Sequence, residues 1–211
     1  MNLFFDQVYV IHLKRREDRY KSFRQEFYRA GIDYEIVDAV DGKTLDNIPP
    51  EKQGSIGCTM SHLKALKLAK KRNLRNVLIC EDDVVFVEEV QLQFNKTIFQ
   101  LPVYYDMLYL GHNPTISRTT QPTPYYSENF NKAMSVLATH CYGVNGKMID
   151  DLIEKVETDI TRGFDVHCWD LQPIYQCFCC YPMLAFQKEG YSDIENKIVD
   201  YSGCIKDDRK F

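Results

Sequence analysis

Val77–Asp83 reads Val-Leu-Ile-Cys-Glu-Asp-Asp, four apolar residues running straight into three acids. A short apolar run without alternation is the pattern of a strand buried on both faces of a sheet. In open α/β sheets, ligands bind in the crevice beyond the carboxyl ends of such strands, which is where the three acids stand. Adjacent carboxylates repel, and holding them near a core is costly unless something cationic neutralises them. Manganese or magnesium ions favour carboxylate oxygens and can bridge them to a diphosphate. The structural alternative is a solvated turn after a strand.

The flanking segments fit the same sheet. Gln7–Leu13 alternates and is rich in β-branched residues, which predicts a first strand. Arg15–Ala30 carries Phe23 and Phe27 one turn apart and meets Gly31, a helix with a glycine stop. Tyr34–Val40 reads as a second strand entering a turn at Asp41-Gly42, Asn47–Gly54 as a loop and Thr59–Arg72 as a helix. Beyond the acids, the pattern predicts a helix over Glu88–Gln100, a strand over Asp106–Leu110 and a long loop over Asn113–Asn131. A strand over Thr139–Val144 and a helix over Lys147–Glu157 follow. Val166–Cys180 reads as helical with a break near Pro173, and Met183–Gln187 as a last strand before a polar tail. This alternation predicts an α/β fold with a central, mostly parallel sheet flanked by helices. No repeat or linker divides the chain, so all 211 residues are expected to form one domain.

Apolar residues make up 45% of the chain, enough for a sizeable core, and the net charge of −4 gives no support for a nucleic-acid surface. No apolar stretch approaches the roughly twenty residues of a membrane span. The start, Met-Asn-Leu-Phe-Phe-Asp, has no signal-peptide pattern, so the expected compartment is the cytosol. Peripheral membrane association and the oligomeric state stay open. The eight cysteines then read as mostly reduced core thiols, including Cys177, Cys179 and Cys180.

A second segment, Gly54-Ser55-Ile56-Gly57-Cys58-Thr59-Met60-Ser61-His62-Leu63, combines two glycines with an expected helix start near Thr59, whose free N–H groups could face an anion. It matches neither dinucleotide nor P-loop fingerprints. A helix cap and a core histidine at His62 are the plainer reading.

Taken in order, GSIGCTMSHLKAL and LICEDDVVF resemble glycosyltransferase family 25, which contains bacterial lipooligosaccharide and collagen-type galactosyltransferases. The resemblance extends to VYVIHLKRREDRY at the start, DAVDG at Asp38–Gly42, and DMLYLG, THCYGVNGKMIDDLI and YPMLAFQKEGYSDI later. It implies a GT-A-like nucleotide-sugar fold, an inverting mechanism, a manganese or magnesium cation and a UDP-sugar donor, with galactose the sugar that the family favours. Residues 1–110 would form the nucleotide-sugar half and residues 111–211 the acceptor side.

On this resemblance Glu81, Asp82 and Asp83 take the place of an Asp-x-Asp motif. Asp83 and Glu81 are the expected metal ligands, with Glu81 or Asp82 turned toward ribose, sugar or metal-bound water. The donor would be lined by His12, Arg16, Arg19, Ala39, Asp41, Gly42, Gly57, Ser61 and His62, and closed over by Gln187, Ser192 and Asp193. Surface salt bridging is the alternative for the two arginines. Inversion needs a general base for the acceptor hydroxyl, and Asp165, then Asp170, are the candidates. A helix cap and a surface acid are the structural alternatives. His112 and His140 could complete a metal shell, and Trp169 could stack on a sugar. The acceptor would be a glycan, a lipid-linked lipooligosaccharide or a protein side chain such as hydroxylysine. A nucleotide-sugar-binding domain without catalysis is the rival reading.

Overall fold

The computed structural model describes residues 1–114 and 124–200. In chain order it begins with β1 (Gln7–His12), α1 (Glu17–Ala30), β2 (Glu35–Asp38), α2 (Pro50–Lys71), β3 (Asn76–Glu81), β4 (Val84–Phe86), α3 (Val90–Thr97) and β5 (Met107–Pro114). There follow β6 (Tyr125–Ser127), β7 (Phe130–Lys132), β8 (Val136–Asn145), α4 (Lys147–Thr158), α5 (Phe164–Leu171), β9 (Cys177–Cys180), β10 (Ala185–Gln187), β11 (Gly190–Ser192) and β12 (Lys197–Val199).

Eight strands form one sheet in the order β2-β1-β3-β8-β5-β9-β7-β6. β1 runs parallel to β2 and β3, and β5 parallel to β9. β8 lies antiparallel between β3 and β5, and β7 antiparallel to β9. The sheet is therefore mixed, with its parallel half at β2-β1-β3. Val77, Leu78, Ile79 and Cys80 are all fully buried, as an unalternating run at the sheet centre requires.

Successive residues of each strand feed two cores. Tyr9, Ile79, Tyr109 and Tyr142 pack with Leu66, Leu152 and Phe164 on the side of α2, α4 and α5. Val10, Leu78, Leu108 and Phe178 pack with Phe23, Phe27 and Phe94 on the side of α1 and α3. Helices thus cover both faces, and the α/β architecture stands as read from the sequence.

Three local expectations are corrected. The segment up to Gly54 is not all loop, because α2 starts at Pro50, whose fixed φ and missing N–H suit a first helical position. The two glycines then lie inside the helix, and no free helix start exists near Thr59. Val166–Cys180 is not one broken helix. α5 ends at Leu171, and Cys177–Cys180 is buried between β5 and β7 as a strand. The expected loop over Asn113–Asn131 contains the β6–β7 hairpin, while its residues 115–123 lie outside the described residues. The tail beyond Gln187 also carries structure, since β11 and β12 pair as a hairpin.

Candidate functional site

Because β1 and β3 are parallel neighbours, with Ile11 beside Glu81, their carboxyl ends open side by side. Beyond β1 the chain places Arg15 and Arg16, then Arg19 in the first turns of α1. Beyond β3 it places Asp82 and Asp83. Between them lies a cleft of about 850 Å³, counting its open mouth. Its walls include Arg15, Arg16, Arg19, Ala39, Asp41, Gly42, Ser61, His62, Glu81, Asp82, Asp83, Gln187, Ser192 and Asp193.

Asp82 and Asp83 are buried and paired with protein side chains. Asp82 is 6% exposed and Asp83 8%. His12 Nδ1 lies 2.8 Å from Asp82 Oδ2, and Arg19 Nη1 donates to Asp82 Oδ1 at 2.7 Å. The same guanidinium nitrogen is 3.1 Å from Asp83 Oδ2, which also accepts from Gln187 Nε2 at 3.1 Å. Part of the cationic partner that the acids call for is thus supplied by Arg19, with His12 as a second hydrogen-bonding partner of Asp82. Asp83 is not fully compensated. Its Oδ1 is buried and has no hydrogen-bond partner. Burial first, and then the Glu81 charge, push its carboxyl up to about 7, although Arg19 opposes them. An orphaned carboxylate oxygen facing an acidic neighbour is a fitting donor for a hard divalent ion.

Glu81 is held differently. Burial works to raise its pKa, but hydrogen bonding and charge from His62, with lesser pulls from His140 and Arg19, leave it lowered. Thr139 Oγ1 donates to its Oε1 at 3.4 Å. Among the described residues, the three-ligand group close enough to hold a metal is Cys58, His62 and Glu81, and it does not include Asp83.

The helix glycines build the opposite wall. A Cβ on Gly57 would lie 2.8 Å from both Gly42 N and Val40 O, so glycine is what lets the Ala39–Gly42 turn press against α2. Ser61 Oγ clamps this contact by accepting from Val40 N at 2.8 Å and donating to Gly57 O at 2.6 Å. Gly54 meets the tail in the same way, its Cβ position 2.2 Å from Asp193 O. The tail hairpin crosses the arginines. Asp193 accepts from Arg15 Nη2 and Arg16 Nη1, each at 2.7 Å, and Tyr191 O accepts from Arg16 at 3.2 Å and Arg19 at 2.9 Å. Arg16 and Arg19 thus both line the cleft and take part in ion pairs.

Thirteen of the expected donor and metal residues line this one cleft. His12 and Gly57 do not; they stand behind Asp82 and Gly42. Asp165 and Asp170 are not in its walls. Asp165 Oδ2 is 3.5 Å from Ala138 N, and its charge adds to the upward shift of the Cys58 thiol, whose first cause is burial. Asp170 is exposed and held by Arg162 at 2.8 Å and Lys155 at 3.1 Å, which places it on the surface of α5 and away from the acids. Trp169 is also outside the cleft walls. His112 and His140 are buried along a second cavity with Met183 and Gln187, and Gln187 stands in the walls of both. Sequence reasoning missed Arg15, Lys43, Gln53, Cys58 and Asn196. Arg15 was legible in the Lys-Arg-Arg run, and Cys58 in its spacing from His62. Nothing in the sequence marks Asn196.

Residues 5–162 match the family described as "Glycosyltransferase family 25 (LPS biosynthesis protein)". The chain belongs to glycosyltransferase family 25. Its mixed sheet with helices on both faces is consistent with the family's GT-A-like fold. Procollagen galactosyltransferase 1-A of Xenopus laevis is 30% identical over 143 residues, 57% of this chain and 23% of that protein. Procollagen galactosyltransferase 2 of Homo sapiens is 32% identical over 129 residues, 51% of this chain and 21% of that protein. A Mus musculus protein named "Inactive glycosyltransferase 25 family member 3" is 29% identical over 129 residues, 51% of this chain and 22% of its own. The chain thus spans about a quarter of the length of these relatives. No described helix is long and apolar enough to cross a membrane.

Proposed function

We propose that this protein is an inverting, divalent-cation-dependent hexosyltransferase that takes galactose from UDP-galactose. Family membership and the relatives' names support the reaction class and the sugar. The observation that carries the reading is the cleft itself, where three arginines face three acids, one of which keeps a buried, unpartnered oxygen. Arginine forks recognise phosphate oxygens, and an adjacent carboxylate pair suits the cation that accompanies a diphosphate.

In this reading Asp83 and Glu81 hold manganese or magnesium, which neutralises charge on the departing diphosphate when bound. Arg15, Arg16 and Arg19 orient the phosphates, and the Ala39–Gly42 turn, Ser61 and the tail at Ser192 and Asp193 enclose the nucleoside. Asp82, fixed by His12 and Arg19, presents its remaining acceptor capacity to ribose or sugar. Gln187 links the donor cleft to the cavity of His112 and His140, which makes that side the approach for the acceptor. Asp165 is the proposed base, taking the acceptor hydroxyl's proton as the new glycosidic bond forms and the bond to the diphosphate breaks on the opposite face. The acceptor is a glycan, a lipooligosaccharide or a hydroxylysine-type side chain.

Asp83→Ala tests the reading. It is expected to abolish manganese-dependent transfer and donor hydrolysis while circular dichroism stays native. An active, metal-responsive Asp83→Ala protein would falsify it. A second reading, a domain that binds nucleotide sugar without turnover, is favoured by the relative named inactive. Calorimetry with UDP and manganese beside a turnover assay separates the two. Binding without transfer or hydrolysis supports the second.

A further inference from the structure

Cys58 and His62 lie four residues apart on α2, so their side chains leave the same helix face one turn from each other. Glu81, at the end of β3, faces that pair. The thiol sulfur, a ring nitrogen and a carboxylate oxygen all fall within 4.8 Å of one another. Ligand atoms around a tetrahedral zinc ion stand roughly 3–4 Å apart, so small rotamer adjustments bring the three into range.

The histidine is set up as a ligand. It is fully buried, stacked on Phe164 with ring centroids 4.4 Å apart and planes 5° from parallel. Its Nδ1 is 3.1 Å from Tyr142 Oη. Tyr142 Oη can accept Nδ1–H, and in that tautomer the ring presents a lone pair at Nε2, the arrangement that orients histidines in metal sites. Nε2 is buried with no hydrogen-bond partner, and it stands 3.4 Å from Glu81 Oε1. In that tautomer the Nε2 lone pair faces the carboxylate across the gap, and a cation between them, a metal ion in place of a proton, reconciles the two.

We propose that Cys58, His62 and Glu81 form a site for a borderline-soft divalent cation, zinc, distinct from the hard-cation position at Asp83. One thiolate, one imidazole and one carboxylate match zinc's ligand preferences and not those of manganese or magnesium. All three side chains line the donor cleft, so a fourth position stays open to water or ligand. Glu81 serves both positions. Zinc at Cys58 therefore competes with the hard cation for that carboxylate. Only this competition rests on the proposed function; the zinc site itself does not.

Cobalt substitution in the full chain tests the site without any activity assay. Metal-free protein titrated with Co²⁺ is expected to show a thiolate-to-cobalt charge-transfer band and tetrahedral visible absorption, both abolished by equimolar Zn²⁺. Cys58→Ser, checked for native melting, should lose the charge-transfer band and weaken zinc binding at least tenfold against a chromophoric chelator. His62→Gln should weaken it comparably, and Asp83→Asn should keep the band. A band that survives in Cys58→Ser places the thiolate elsewhere, for instance at Cys177–Cys180, and overturns the proposal. So does octahedral, thiolate-free cobalt in the unmutated chain, or zinc binding unchanged by either substitution.

Discussion

Arg19 reaches Asp83 at 3.1 Å with the same nitrogen that binds Asp82 at 2.7 Å. One guanidinium therefore holds together two adjacent, buried carboxylates that would otherwise repel. Arg19→Met leaves Asp82 with His12 and Asp83 with Gln187, and it strands the negative charge. Breaking a buried pair by removing one partner costs roughly 3 kcal/mol. Urea unfolding at neutral pH should show a loss of that order. Adding Asp83→Asn should recover a third or more of it, because the two sites share one network. Strictly additive losses would show that Arg19 does not act through Asp83.

Asp83 also sets a pH dependence. Its carboxyl is raised, chiefly by burial and then by Glu81, from the ordinary 3.8 to about 7. Between those values the folded chain holds a proton that the unfolded chain releases, so stability falls as pH rises from about 4 to about 7 and levels off above. Without divalent metal, Asp83→Asn should be more stable than the parent at pH 8, by roughly 4 kcal/mol at most. The two should converge near pH 4. Denaturant midpoints across this range check it, and a parent that gains on the variant as pH rises would contradict the sign. A hard cation at Asp83 displaces the proton, so manganese should narrow the gap at pH 8.

The glycines of α2 give a prediction with an inverted sign. Alanine normally stabilises a helix interior over glycine by about 1 kcal/mol. At Gly57 the new Cβ would sit 2.8 Å from backbone atoms of the Val40–Gly42 turn, which has no flexible side chain to yield. Gly57→Ala should cost roughly 1–3 kcal/mol by overpacking. Its melting temperature should fall and UDP binding should weaken with the displaced turn. Gly54→Ala, 2.2 Å from Asp193 O, should push the tail hairpin away while leaving global stability nearly unchanged. Limited proteolysis of the tail reads that difference.

The sheet and the acids were legible because both are written locally. An unbroken apolar run marks a central strand, and acids at its end mark the crevice. The glycine segment was misread because glycine signals a loop when only sequence neighbours are considered. Its reason here is non-local, the close approach of the Gly42 turn and the Asp193 backbone. The Cys177–Cys180 segment was misread for a related reason, since four apolar residues suit helix or strand and pairing with β5 and β7 decides. Arg19's role as charge compensator was hidden because it joins positions more than sixty residues apart. The ion pairs of Asp170 with Arg162 and Lys155 were equally hidden, since they too join separate elements.

On the proposed function, Asp193 stands where a phosphate of the donor would lie. Its two oxygens take one charge-assisted hydrogen bond each from Arg15 and Arg16, both at 2.7 Å, as two oxygens of a phosphate could. Burial works to raise its carboxyl, but the two arginines hold it below the usual range, so it stays charged near neutrality. An incoming diphosphate must share or displace that charge. Asp193→Asn removes one negative charge from the cleft and loosens one nitrogen each of Arg15 and Arg16, which stay paired with Asp41 and Asp18, while nearly preserving shape. Calorimetry should find UDP bound roughly 3- to 10-fold more tightly, a difference of about 1 kcal/mol. The advantage should shrink as salt rises, because the charge is only partly buried in an open cleft. Weaker UDP binding by Asp193→Asn would instead mean that the carboxylate serves the nucleotide directly, and that the arginines need it in place before they can act.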